Sequence, residues 1–335
     1  MKIAIRTLPF RNNYGGILQN YALQKVLQDL NHESITIDSE VKENPWWVYC
    51  LSWIKTALLF FTKKRRSFAK FKKKDKQLPS FALFVKQNIK TNQNINLNLK
   101  KFVCSKSIDV IIVGSDQVWR PKYSGNIYKA FLNDVKTINV KRIAYAASFG
   151  VDIWEYSKEQ TFKCSILAKK FNAISVREQT GVELCKKNLD IKASLVLDPT
   201  LLLDKKDYFK LCEDISSPTN KYLAAYILGS NETTYELCKK IAKEKNLSLK
   251  YFSADSQATL SIPEWLAMFR DASYVVTDSF HGTVFSIIFG KEFKCIYNNA
   301  RGAARFESLL NLYNSGKLEE MRQFSLNWLK RALES

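Results

Sequence analysis

Short apolar runs rich in β-branched residues recur along this chain, and most are followed by apolar residues at helical spacing. The run at 2–7 precedes a helical stripe that begins at Ile17 and ends at Leu30, and a second run follows at 34–38. Strands that alternate with helices in this way form parallel sheets, because each helix carries the chain back to the start of the sheet. The pattern therefore predicts an α/β fold. Further strands are predicted at 109–113, 142–148, 173–178, 195–200, 222–229, 249–252, 274–277 and 293–297.

The series of strands is interrupted by a linker-like stretch at 204–220, which contains the turn-forming residues Ser216, Ser217 and Pro218. A chain of 335 residues with 46% hydrophobic content can bury two cores, at roughly 150 residues per domain. We predict two Rossmann-like domains that face each other across a cleft. The predicted parts are an N-terminal α/β domain over 1–205, a C-terminal α/β domain over 206–316, and a last helix over 317–335 that packs back on the first domain. The apolar face expected on this helix carries Leu318, Met321, Phe324, Trp328 and Ala332.

The net charge of +20 predicts an anionic partner, which narrows the choice to nucleic acid, phosphorylated metabolites or an acidic membrane surface. Nine basic residues fall within 63–76, and the aromatic and apolar run 46–61 comes just before them. This insertion, 45–80, has the composition of a segment that lies on an anionic membrane, although an ordinary helix packed on the first domain would show the same pattern. Nucleic acid is not predicted as a partner, because no reader motif accompanies the charge.

The seven cysteines are scattered without a CxxC pair, and no cleavable signal precedes the first predicted strand. We expect reduced thiols, no structural zinc or other metal, and a cytoplasmic location.

One of the two histidines, His281, lies in the polar cluster that follows the strand at 274–277. Ligands of open α/β sheets bind outside the carboxyl ends of the strands, so an acid or base at this point is a candidate site residue. The helix predicted after it directs free N–H groups toward the same place, which favours an anion. His281 is therefore predicted to be catalytic, with Asp278 orienting its ring and Ser279 beside it. The alternative is a histidine that only caps the helix or satisfies a buried carbonyl.

Polar residues at the ends of the other strands are predicted to meet His281 across the cleft. Each of these sets has a structural alternative: a plain turn, a helix cap, an Arg177–Glu178 ion pair, or solvated arginines. Guanidinium groups suit the capture of a carboxylate or phosphate, so the arginines are predicted to bind substrate. The predicted binding residues are Asn13, Tyr14, Gly15, Gln19, Ser115, Ser279, Arg177, Arg301 and Arg305, with Asp116 as a second catalytic candidate.

Five motifs in this order resemble those of the polysaccharide pyruvyl transferase family. They are NYGGxLQxYAL at 13–23, GSDQVW at 114–119, SVRE at 175–178, DPT at 198–200 and TDSFHG at 277–282. The similarity covers nearly the whole chain and is weakest in the insertion 45–80. Some members of this family carry an arginine two residues before the histidine, where this chain has Ser279. That departure leaves open which of Arg177, Arg301 and Arg305 binds the donor.

The resemblance implies a two-domain, GT-B-like fold and an enzyme that moves the enolpyruvyl group of phosphoenolpyruvate onto a saccharide as a pyruvate ketal. The C-terminal domain would then carry the donor site, and the insertion would lie on the acceptor and membrane side. No cofactor beyond the donor substrate is implied. His281 would act as acid or base, and Asp116 would be the reserve base.

The implied acceptor is a saccharide, for example one linked to polyprenyl pyrophosphate, at the inner face of the cell membrane. Two other functional hypotheses fit the same residues. One is a nucleotide-sugar glycosyltransferase of the same two-domain form. The other is a non-catalytic basic adaptor for a membrane or nucleic acid.

Overall fold

The computed structural model describes residues 1–37, 77–92, 98–229, 231–254, 260–296 and 303–335. The aromatic run 46–61, the basic block 63–76 and Arg301 therefore lie outside the described residues. No helix in the described ranges is long and apolar enough to cross a membrane.

The first half of the chain forms a parallel sheet whose seven described strands have the order β3-β2-β1-β4-β5-β6-β7. The central strand β4 (Val110–Val113) is buried at every position, because helices cover both faces of the sheet. The remaining strands are β1 (Lys2–Arg6), β2 (Glu33–Ile37), β3 (Thr91–Asn92), β5 (Lys141–Ala147), β6 (Ala173–Val176) and β7 (Ser194–Leu195).

The second half forms a smaller parallel sheet whose four described strands have the order β11-β10-β8-β9. Its central pair is β8 (Tyr222–Tyr226) and β10 (Tyr274–Thr277), flanked by β9 (Ser248–Phe252) and β11 (Phe293–Cys295). The two sheets correspond to the two predicted domains in strand content, and the α/β prediction is confirmed.

The helices follow the strands as the βα pattern requires. Within the described residues they are α1 (Tyr14–Asp29), α2 (Pro79–Asn88), α3 (Leu99–Ser105), α4 (Pro121–Ser124), α5 (Ile127–Ala130), α6 (Lys158–Ala168), α7 (Gln179–Leu184), α8 (Lys205–Leu211), α9 (Glu232–Glu244), α10 (Ile262–Arg270), α11 (Phe280–Ile288), α12 (Ala303–Asn314) and α13 (Leu318–Glu334). A short 3-10 turn, Pro199–Leu202, follows β7.

Two stretches that looked like connections contain regular structure. The predicted linker 204–220 includes α8, whose first turn is capped by Asp204. The polar, Asn-rich stretch 88–99, whose composition is typical of connecting structure, contains β3, which pairs with the end of β2 at Thr36 and Ile37. A polar sequence of this kind predicts a loop. A short edge strand can still form there, because it buries too few side chains to require an apolar pattern.

The last helix, α13, returns to the first sheet as predicted. The Ser325 hydroxyl accepts from the backbone N–H of Leu197 at 2.9 Å, and Lys141 donates to the carbonyl of Leu333 at 2.7 Å. Its buried face contains Leu329 and Ala332, while Phe324, which we expected on that face, is 41% exposed. The helix is rotated relative to the prediction, because the small Ser325 is the residue that approaches the loop after β7.

Tyr14 joins the two halves of the molecule. Its ring stacks on Trp265 of α10 with centroids 5.0 Å apart, and its hydroxyl donates to the carbonyl of Leu260 at 2.7 Å. Burial raises the pKa of Tyr14 well above its usual range, and Glu264 adds to the effect. The Tyr14 side chain is thus a packing element, in contrast to the substrate contact predicted for it.

Candidate active site

A cleft of about 340 Å³ is lined by the start of α1 and by residues that follow the carboxyl ends of β1, β4, β8 and β10. Parallel strands bring their ends to one edge of each sheet, so residues far apart in sequence become neighbours. Several predicted site residues line this cleft, namely Asn13, Gly15, Asp116, Asp278, Ser279, His281 and Arg305.

His281 lies in the first turn of α11 and is only 9% exposed. The helix is capped by Ser279, whose hydroxyl accepts from the backbone N–H of Gly282 at 3.3 Å. Because Ser279 performs the capping, His281 is not needed as a cap. Its Nε2 lies 3.7 Å from Oδ2 of Asp198, and this nitrogen is buried without a hydrogen bond among the described residues.

Gly15 allows the imidazole to sit where it does. A β-carbon at this position would lie 1.9 Å from Nδ1 of His281, which no real contact tolerates. The backbone of α1 thus forms one wall against the ring, and only glycine leaves room for it. Asn13 caps the same helix by accepting from the N–H of Gly16 at 3.1 Å.

Asp198 is the site residue that sequence reasoning missed. Its Oδ1 accepts from the N–H and the hydroxyl of Thr200 at 3.1 and 2.7 Å, and its Oδ2 accepts from Nη1 of Arg177 at 2.7 Å. Burial would raise the pKa of this carboxyl, but interactions with His281 and then with Arg177 lower it well below its usual range. The DPT motif contributed to the family resemblance, and its position directly after a strand was the available signal.

Arg177 is enclosed by carboxylates. Besides Asp198, it donates from Nη2 to Oδ1 of Asp116 at 3.1 Å, and its side chain is 1% exposed. Burial would lower its pKa, but Asp198, Asp116 and Glu178 raise it. Its Nε lies 4.0 Å from Glu178, so the simple Arg177–Glu178 pair considered from the sequence is only one part of a larger cluster.

Gln19 and Ser115 lie behind this arginine. The Ser115 hydroxyl donates to Oε1 of Gln19, which also receives a weak contact from Nη1 of Arg177 at 3.5 Å. We call Gln19, Ser115, Asp116, Arg177 and Asp198 the buried network. All five are 6% exposed or less, so apart from Asp116, which lines the cleft, the structure gives these residues a supporting position.

Arg305 occupies a different environment. It lies on α12, lines the cleft, and places its guanidinium 5.3 Å from the centroid of the Phe280 ring. Burial lowers its pKa to about 10, and the neighbouring charge of Arg177 adds to this shift. Arg305 therefore stays protonated at neutral pH in a place where its charge is poorly solvated.

Asp278 has a role other than the predicted one. Its carboxylate accepts from the backbone N–H groups of Leu228 and Gly229 at 2.6 and 2.8 Å, which fixes the loop after β8. The carboxylate beside Nε2 of His281 is Asp198 instead. Sequence proximity suggested Asp278, whereas the three-dimensional neighbour comes from the other sheet.

No group of three or more His, Cys, Asp or Glu in the described ranges is placed to hold a metal ion. The cleft and the residues behind it offer an imidazole, carboxylates and guanidinium groups. Together they can transfer protons and bind an anion.

Solved structures share this architecture. A UDP-GlcNAc 2-epimerase from Neisseria meningitidis is 11% identical, with a TM-score of 0.50 over 99% of both chains. A putative UDP-N-acetylglucosamine 2-epimerase from Listeria monocytogenes is 12% identical, with a TM-score of 0.50 over 99% of this chain and 96% of its own. A glycosyltransferase from Rickettsia africae is 10% identical, with a TM-score of 0.43 over 99% and 94% of the two chains. At this identity the likeness of the two epimerases shows the fold alone, and it confirms the GT-B-like prediction.

No curated protein sequence is significantly similar to this chain. The polysaccharide pyruvyl transferase family model matches residues 13–299, which include the cleft residues from Asn13 to His281. Since that match spans most of the sequence, the chain belongs to the polysaccharide pyruvyl transferase family.

Proposed function

We propose that this protein transfers the enolpyruvyl group of phosphoenolpyruvate to a saccharide and closes it into a pyruvate ketal during surface polysaccharide biosynthesis. The observation that carries the proposal is the buried pair of His281 and Asp198 at a cleft that also contains Arg305. A proton donor beside a cationic group is what an anionic enol ester requires of an enzyme.

Arg305 is the described arginine best suited to the donor. Phosphoenolpyruvate carries a carboxylate and a phosphate, and a guanidinium can bind either with two parallel hydrogen bonds. Arg177 already donates to Asp198 and Asp116, so its charge is balanced within the protein. Arg301, the third candidate, lies outside the described residues. The N-terminus of α11 adds N–H groups that favour an anion at the same place.

The reaction begins with proton transfer from His281 to the methylene carbon of the donor. The π electrons of the enol form the new C–H bond and leave an oxocarbenium-like centre at the neighbouring carbon. A sugar hydroxyl adds to that centre and gives its proton to the now neutral His281. A second hydroxyl then displaces phosphate, which leaves with the C–O bonding electrons and takes up the proton of that hydroxyl. Each proton transfer by a positioned group contributes roughly 10²–10⁴ in rate.

The proposed acceptor is a lipid-linked saccharide at the inner face of the cell membrane. The charge of +20 and the basic block 63–76 favour an anionic surface next to the acceptor. Reversing the charge of four lysines in this block should reduce binding to vesicles that contain anionic lipid, while vesicles of neutral lipid serve as control. Equal binding of both proteins would contradict a membrane role for this segment.

The reaction itself is tested by incubating the protein with phosphoenolpyruvate and saccharide acceptors. We expect release of phosphate together with a product whose mass has increased by a pyruvate ketal. His281→Ala should lower the rate of both by roughly 10²–10⁴-fold. Release of a nucleotide from a nucleotide sugar, without turnover of phosphoenolpyruvate, would instead establish the glycosyltransferase alternative. A His281→Ala variant that keeps the cellular phenotype would favour a non-catalytic adaptor.

A further inference from the structure

Asp198 connects the first sheet to the histidine of the second. It lies at the start of the 3-10 turn after β7, and His281 lies on α11 after β10. The carboxylate is held from three directions by the N–H and hydroxyl of Thr200 and by Nη1 of Arg177. Its side chain is fully buried, so it has little freedom to move.

The imidazole is held from two sides. Nε2 faces Oδ2 of Asp198 at 3.7 Å, and Nδ1 lies against Gly15, which lines the cleft. Nε2 of the ring therefore faces a buried carboxylate, and Nδ1 lies against the backbone of α1 at the edge of the cleft. An imidazole in this setting is fixed in orientation.

We infer that Asp198 is the positioning residue for His281: it orients the ring and keeps the proton of the neutral ring on Nε2. This inference rests on the proposed function, because it assigns a residue to the proton transfer proposed for His281. Asp198 acts through the histidine and does not touch the donor.

Other charged groups surround the ring and have to be weighed. Asp278 is held by two backbone N–H groups, and Asp116 is held by Arg177. The two arginines repel an imidazolium, so only a close carboxylate can offset them. The groups that face this part of the cleft from the packed elements are Asp198, Arg177, Asp116, Glu178, Arg305 and Asp278.

The chain allows a direct test because it has only two histidines. His32→Gln leaves His281 as the single imidazole, so its ring signals can be followed by NMR without ambiguity. In this background the ¹⁵N shifts of the neutral ring should place the proton on Nε2. A proton on Nδ1 would overturn the inference. This measurement needs no variant in the buried network.

The second measurement adds Asp198→Asn, which keeps the shape of the side chain and removes its charge. The share of the ring proton on Nδ1 should rise, because the carboxylate that favours the Nε2 proton is gone. Thr200→Val removes one hydrogen bond to Asp198 but keeps the charge, and its tautomer should stay that of the parent. An unchanged tautomer in the Asp198→Asn protein would overturn the inference.

Activity separates this inference from the proposed function. If pyruvyl transfer occurs, Asp198→Asn should lower kcat roughly 10²-fold with little change in KM, and should shift the limb of the pH–rate profile that depends on imidazolium. A normal kcat in that variant would overturn the role of Asp198 while leaving the transferase activity intact. If the ring proton of His281 is on Nε2 but no pyruvyl transfer occurs, the positioning role is supported and the proposed reaction is rejected.

Discussion

The two described arginines near the cleft lie over the same phenylalanine ring yet sit in opposite environments. The guanidinium of Arg177 is 4.9 Å from the Phe280 centroid and that of Arg305 is 5.3 Å from it. Arg177 donates to two carboxylates and its pKa is raised, whereas the pKa of Arg305 is lowered to about 10 by burial and by Arg177. Arg177 donates to carboxylates inside the protein, whereas Arg305 lines the cleft.

This difference shows that the surrounding charges decide whether an arginine has a structural or a binding role. A guanidinium surrounded by carboxylates gains nothing further from an incoming anion, because its charge is already compensated. A guanidinium next to another cation is stabilised when an anion arrives. Proximity to a cleft is therefore a poor guide by itself, and the surrounding charges decide which arginine binds.

The largest effect should come from removing the balanced arginine. Arg177→Met leaves Asp198 and Asp116 buried without their cation, and breaking such a pair costs about 3–5 kcal/mol. Chemical denaturation should show a drop of that size in the free energy of unfolding. A stability loss below about 1 kcal/mol would mean that the buried network does not depend on Arg177.

Arg305→Met is the matched substitution, and it should weaken substrate binding more than it lowers stability. We expect a change in the free energy of unfolding of less than about 1 kcal/mol. The KM for phosphoenolpyruvate should rise by roughly 10- to 100-fold, which corresponds to the loss of a charged hydrogen bond. If Arg305→Met destabilises the protein as strongly as Arg177→Met, the contrast between the two arginines fails.

Much of the fold was predictable because parallel sheets have a strong sequence signal. The fully apolar strand Val110–Val113 and the stripe of α1 were recognised from composition and spacing alone. The two-residue strand Thr91–Asn92 was not, since its pairing with β2 is decided by neighbours in space. The face of α13 was also wrong at Phe324, because burial there depends on where Ser325 meets Leu197.

The sequence predicted where the candidate site lies but not the role of each residue in it. Four residues that were expected to meet do line one cleft, namely Asp116, Ser279, His281 and Arg305. The carboxylate beside His281 was not foreseeable, because Asp198 comes from the other sheet and lies 83 positions away in the chain. Asp278 seemed the better partner from sequence, yet its carboxylate is engaged by the loop after β8.

Gly15→Ala tests the contact through which the first sheet holds the histidine, and so sharpens the contrast between supporting and binding residues. The added methyl would meet Nδ1 of His281 at 1.9 Å, so the ring has to move. We expect kcat to fall by about 10-fold or more, because proton transfer depends on geometry. Stability should change little, since alanine favours a helix over glycine by roughly 1 kcal/mol and offsets part of the strain.

A double-mutant cycle isolates the cause of that effect. In a His281→Ala background there is no ring for the methyl to displace, so Gly15→Ala should have no further effect on the remaining activity. An additional loss of similar size in that background would show that Gly15 acts on the substrate directly.

The smallest effect is expected only at acidic pH and concerns the stability that the buried network contributes. The pKa of Asp198 is lowered in the folded protein, so its ionised form contributes stability that is fully present above the unfolded pKa of about 3.9. That contribution is lost as the pH falls toward the lower folded value. The difference in unfolding free energy between wild type and Asp198→Asn should therefore be constant near neutral pH and shrink below about pH 4. Arg305→Met, which removes no carboxylate, should differ from wild type by a nearly constant amount over the same range, and a parallel shrinkage there would mean that the two arginines are not separated as the structure indicates.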